Sequence, residues 1–99
     1  MKREDILQTL SRLKPKYAKE GVVIVGLFGS IASDTADEKS DIDIAYRIEY
    51  DTFSHRYKDG FSKLLRLEEI KEELEKHFHA RVDFVPDSNA SLLKGMIRV

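Results

Sequence analysis

The chain has no cysteine, no tryptophan, two prolines and five glycines among its 99 residues. Without cysteine, neither a disulfide framework nor a thiolate metal site can form, which accords with a cytoplasmic location. No apolar run approaches the roughly 20 residues needed to span a bilayer. The first residues, MKREDILQTL, carry charge where a signal peptide needs an apolar stretch, so no membrane role is expected. Charge of one sign is also scarce in excess. With 17 basic and 18 acidic residues the net charge is −1, which excludes a global pull toward nucleic acid or an anionic membrane. An anionic substrate would need local positive charge or metal ions. What is present is 41% hydrophobic and 35% charged residues, the composition of a small soluble domain with a core and a charged skin. Its length suits one domain spanning residues 1–99.

Ile6, Leu10, Leu13 and Tyr17 recur at helical spacing before Gly21, which predicts a helix over about 3–19. The run VVIVGLF, 22–28, reads as a strand buried on both faces, and SDIDIAYRI, 40–48, as a second strand. EYDTFSHRYKDG, 49–60, shows no period and ends in Asp59-Gly60, so a loop is expected. Leu64, Leu67, Ile70, Leu74 and Phe78 form an apolar stripe on a helix over about 61–78. ARVDFV, 80–85, is a third strand, and a short helix is expected over about 88–96. The order α-β-β-α-β-α predicts an α/β (α+β) fold, a small mixed β-sheet with helices packed on it.

Within the second strand, Asp41 and Asp43 lie two residues apart, so both project to one face while Ile42 and Ile44 point to the other. Asp83, between Val82 and Phe84, is a third carboxylate on a strand. If these strands are neighbours the three converge. Like charges so placed repel, and burying them unpaired costs several kcal/mol. Hard divalent cations such as Mg²⁺ remove that cost. Carboxylates holding one or two such ions serve phosphoryl and nucleotidyl transfer. A bare D-x-D is more often an exposed strand edge paired with neighbours such as Lys39 or Arg47. The stretch before it shifts that balance. VVIVGLF runs into Gly29-Ser30, where the backbone can approach a phosphate closely and a hydroxyl can bind its oxygens. Rival phosphate motifs fail: no Lys-Ser or Lys-Thr follows the glycines, and Gly26 and Gly29 do not make a dinucleotide fingerprint.

Gly29-Ser30, ten intervening residues, Asp41-x-Asp43 and a later strand aspartate, Asp83, resemble the DNA polymerase β-like nucleotidyltransferase superfamily. The likeness is greatest to its minimal nucleotidyltransferase (MNT) group, and covers Val22 to Val85 and, weakly, the tail to Val99. The resemblance implies a nucleotidyltransferase fold and transfer of a nucleoside monophosphate, AMP from ATP, to a hydroxyl acceptor. It implies Mg²⁺, two ions, at Asp41, Asp43 and Asp83, with these three as the catalytic carboxylates. Gly29 and Ser30 would hold the triphosphate, and Asp83 would support the base role toward the acceptor. It further implies a HEPN-type partner whose tyrosine is modified, this chain acting as antitoxin. A nucleotide-binding or protein-binding antitoxin without catalysis is the alternative, and a homo-oligomer is left open.

Two departures from the family pattern bear on this. Ser33 stands where a basic residue is usual, and Asp34 adds negative charge beside the phosphate site. The tail LLKGMIRV predicts no further strand. Among other residues, Arg47 reads as a surface ion-pair partner and His77 and His79 as favourable charges at a helix end. Tyr46, Tyr50, Phe53 and Tyr57 read as packing residues, and Lys63, Lys71 and Lys76 with the glutamates of the long helix as a solvated face.

Overall fold

The computed structural model describes residues 2–32, 41–88 and 95–99. Helix α1 (Arg3–Ala18) is followed by strand β1 (Val22–Phe28), a single helical turn α2 (Gly29–Ala32) and strand β2 (Ile42–Ile48). Helices α3 (Tyr50–Arg56) and α4 (Gly60–Phe78) lead to strands β3 (Val82–Pro86) and β4 (Ile97–Arg98). The four strands form one mixed sheet in the order β3-β2-β1-β4. β1 is antiparallel to both β2 and β4, whereas β2 and β3 run parallel.

The apolar periodicity of the sequence accounts for most of this. Ile6, Leu10, Leu13 and Tyr17 of α1 are all buried, and acidic Glu4 and Asp5 sit in its first turn, where they complement the helix dipole. On one face of the sheet Ile24, Leu27, Ile42 and Ile44 meet α1 together with Ile70, Leu74 and Phe78 of α4. A smaller cluster on the other face joins Val25, Phe28 and Ala45, with Met96 and Val85 against it. β1 is therefore buried on both sides, as its unbroken apolar run implies.

Four features differ from the sequence reading. The 49–60 stretch is not a loop: Tyr50–Arg56 is helical, with Phe53 only 1% exposed. Two turns of helix offer only Phe53 and Tyr57 as an i,i+4 signal, too short for a period to be read. Leu64 is 70% exposed and does not belong to the core stripe, because the N-terminal part of α4 runs past the layer it packs on. The tail does contain a further strand, β4, whose Ile97 and Arg98 pair with Leu27 and Gly26. Gly26 permits this, since a Cβ there would stand 2.4 Å from the Ile97 carbonyl oxygen. Among the described residues the element order is consequently α-β-α-β-α-α-β-β, in which α2, α3 and β4 are added to the expected series. The helix expected over 88–96 falls mostly outside the described residues, and Ser88 and Gly95 near its ends lie in turns.

Arg66 ties the helical layer together. Its guanidinium donates through Nε and Nη2 to both carboxylate oxygens of Glu20, each at 2.7 Å, and through Nη1 to Glu73 at 3.0 Å. Tyr17 donates to Glu73 at 2.8 Å, and Tyr57 donates to Glu20. Glu20 is the buried charge at the centre, 8% exposed. A bidentate arginine is the partner that makes such burial tolerable. The pairing with Arg66 holds the Glu20 carboxyl below the usual carboxylate range.

Candidate active site

The register of the sheet brings two of the three aspartates face to face. In the parallel β2–β3 ladder, Asp43 is the direct partner of Asp83, between the pairs Ile42–Val82 and Ile44–Phe84. Residues paired in this way project to the same face. The buried neighbours Ile42, Ile44 and Val82 belong to the core on the opposite face. Asp41 lies just before β2 and is half-buried, as is Asp43, whereas Asp83 on the edge strand is exposed.

Electrostatics tie all three together. Burial raises the Asp43 carboxyl above the ordinary carboxylate range, and the charge of Asp83, then that of Asp41, adds to the rise. Asp43 therefore sits in a field of two other carboxylates. Among the described residues, however, no three acidic or histidine side chains are gathered tightly enough to form a ready-made metal cage. The donor chemistry still suits Mg²⁺, which keeps several ligands from water or substrate phosphates and takes only one or two carboxylates from the protein. Asp43 with Asp41 or Asp83 meets that need, and the repulsion felt at Asp43 is what a divalent cation relieves.

Gly29 and Ser30 stand at the same end. β1 ends at Phe28, the partner of Asp43, and the next residue, Gly29, has φ of +76°. A Cβ built on Gly29 would come within 2.1 Å of Asp43 Oδ2, so the backbone there lies directly against the carboxylate. The sequence assigned Gly29 to phosphate. Its conformation and its contact show a second requirement, room for Asp43, for which a glycine at the end of a strand is the only sequence signal. Ser30 follows in α2, half-buried. The α2 turn is anchored from the first helix, where Arg3 donates to the Ala32 carbonyl at 3.0 Å. Ser33, Asp34 and Lys39 lie outside the described residues.

Arg47 shares strand parity with Asp43 but belongs to the other end of β2. It is half exposed and lies 3.8 Å from both Glu49 and Asp87, the surface ion-pairing expected of it. At that end too, a surface hollow of about 480 Å³ is lined by Lys19, Asp51, Thr52, His55 and Arg56. All five side chains are exposed, and the hollow is separate from the candidate site at Asp43 and Asp83.

The chain belongs to the nucleotidyltransferase domain family, whose family model matches residues 4–98. Nucleotidyl transfer is the activity of that family, and this chain is a transferase of its class. More narrowly, the fold is that of the minimal nucleotidyltransferases. A solved structure of a protein inferred to be a minimal nucleotidyltransferase superimposes with a TM-score of 0.70 at 25% identity. The likeness covers 100% of this chain and 97% of that one, so the whole unit is shared. No curated protein matches the chain in sequence.

Proposed function

We propose that the chain is a Mg²⁺-dependent nucleotidyltransferase that passes AMP from ATP to a hydroxyl group on a partner protein, with Asp41, Asp43 and Asp83 as its working carboxylates. The observation that carries this reading is the Asp43–Asp83 pair held in register beside Gly29. Gly29 and Ser30 bind the triphosphate through the exposed backbone of the strand end and the serine hydroxyl. Asp41 and Asp43, with Asp83 beside them, would hold the divalent cations, which would supply neutralisation of phosphate charge and acidification of the attacking hydroxyl. Asp83, the most exposed of the three, faces the acceptor and takes up the proton of its hydroxyl. The hydroxyl oxygen forms a bond to the α-phosphorus, the bond from that phosphorus to the α–β bridging oxygen breaks, and pyrophosphate leaves.

The acceptor we favour is a tyrosine of a HEPN-type toxin encoded alongside, which makes the chain an antitoxin acting in the cytoplasm. The exposed position of Asp83 on the edge strand β3 supports an acceptor that approaches from outside the domain. The test is intact-mass spectrometry of that partner after incubation with the chain, ATP and Mg²⁺. The expected result is a gain of one AMP. With Asp83→Asn the gain should fall by about two orders of magnitude or more while ATP binding persists. Ser33 and Asp34 favour a second reading, an antitoxin that neutralises by binding alone. Full neutralisation with no mass gain from wild type would establish that reading and overturn catalysis.

A further inference from the structure

The stretch that follows β1, from Gly29 to Glu38, contains no lysine or arginine, although Gly29 and Ser30 are assigned to a triphosphate. The α2 turn has no basic residue at its end, so its carbonyl end is without a cation of its own. Among the described residues a cation reaches it from α1. Arg3, the first residue of that helix, donates through Nη1 to the Ala32 carbonyl at 3.0 Å, across 29 residues of sequence. The last carbonyls of a helix lack an intrahelical partner, and a cation there meets the negative pole of the helix dipole.

This contact bears on Ser30. A four-residue turn is too short to hold itself, since starting a helix fixes several dihedral angles for each hydrogen bond gained. α2 is seated by its surroundings instead. Gly29 lies against Asp43, Ala32 is buried with Ile31 packed on the same core, and Arg3 holds the Ala32 carbonyl. Ser30 stands between these anchors. The turn rises only about 6 Å from end to end, so the Arg3 charge lies well within one screening length of Gly29 and Ser30. A guanidinium has five N–H donors, and Ala32 takes one of them. The carboxylate beside it, Glu4, stands 3.6 Å from Nη2 with a side chain 72% exposed, so solvent screens that pair.

We propose that Arg3 is a positioning residue for the triphosphate: it locks the α2 turn that presents Ser30, and brings to that turn the positive charge its own sequence lacks. The inference rests on the assignment of Gly29 and Ser30 to the triphosphate. Isothermal titration calorimetry with ATP and Mg²⁺, and with inorganic tripolyphosphate and Mg²⁺, tests it without an acceptor and without turnover. Arg3→Met should weaken both ligands about tenfold, the effect of losing one charge-assisted hydrogen bond. The factor should be similar for the two, because tripolyphosphate is the part of ATP that the turn holds. Arg3→Lys keeps the charge and a donor and should recover most of the loss, and the deficit of Arg3→Met should shrink at high ionic strength. The circular dichroism spectrum should not change, since Ile6, Leu10, Leu13 and Tyr17 seat α1 without Arg3. Wild-type affinity in Arg3→Met overturns the inference and leaves nucleotidyl transfer standing. A loss confined to ATP, with tripolyphosphate unaffected, overturns it too, as does Arg3→Lys binding as weakly as Arg3→Met. A wild type that binds neither ligand overturns the assignment of Gly29 and Ser30, and this inference with it.

Discussion

Replacing Asp83 with asparagine should make the metal-free protein more stable. Asp83 faces Asp43 across adjacent strands, and strands lie about 4.8 Å apart. Two unit charges near 5 Å repel by about 0.8 kcal/mol in water and about 3 kcal/mol at an effective dielectric of 20. Asp83 is exposed, so solvent screening sets the value near the lower limit, about 1 kcal/mol. For a domain of this size that is a rise in Tm of about 4–8 °C. The dependence on pH follows from Asp43. Its carboxyl is raised in the folded state, first by burial and then by Asp83 and Asp41, so its ionised form is a cost to folding. That cost is present in full above the folded pKa and disappears as the pH falls below the unfolded value of 3.8. The gain from Asp83→Asn should therefore be largest near neutral pH in low salt, and shrink both on acidification and at high ionic strength. Mg²⁺ should raise the wild-type Tm by binding only the folded state, and so narrow the difference. Thermal unfolding followed by circular dichroism at pH 7 and pH 4, in low and high salt, is the assay. An unchanged or lowered Tm at pH 7, or a gain of equal size at both pH values, would refute the repulsive pair.

Two further substitutions probe the same architecture. Gly29→Ala should cost about 1–2 kcal/mol for a left-handed backbone alone, and should suppress nucleotidyl transfer because its Cβ displaces the Asp43 carboxylate; a variant with wild-type turnover would separate Gly29 from the site. Arg66→Met should destabilise by about 3–5 kcal/mol in urea titration, since it strands the buried Glu20 charge, whereas Arg66→Met with Glu20→Leu should recover most of the loss. Because Glu20 is depressed chiefly by Arg66, its contribution is present above the unfolded value of 4.5 and lost as the pH falls through the folded one.

Long periodic segments were legible in the sequence, and short or contact-defined ones were not. Helices α1 and α4 and strands β1 and β2 repeat their apolar signal often enough to be read within two residues of their observed bounds. α3 escaped because only Phe53 and Tyr57 report its period. β4 escaped because two residues cannot alternate visibly, and its existence depends on a missing side chain at Gly26. In the candidate site, the shared face of Asp41 and Asp43 followed from strand parity. That Asp83 would stand opposite Asp43 needed the neighbouring parallel pairing of β2 and β3, which no local pattern reveals. The charges of α4 were read as solvated, and for Glu68, Glu69 and Glu72 they are. Arg66 and Glu73 instead turn toward Glu20 and Tyr17, a distinction made by distant residues alone.

The mixed pairing of the sheet also sets an order of assembly. Gly29, Asp41 and Asp43 lie at the facing ends of two strands that are consecutive and antiparallel, so their part of the site rests on contacts between near neighbours in sequence. Asp83 stands about 40 residues further along, and reaches β2 only after the crossover through α3 and α4 has folded back to make a parallel pair. Closing that ladder is a non-local step, and it sets a carboxylate beside one that is already half-buried. Pairing β3 with β2 thus carries a like-charge cost of the site's own making. A cation or a proton that relieves Asp43 would lower that cost, so the candidate site and the seating of β3 on the sheet are linked through one like-charge pair.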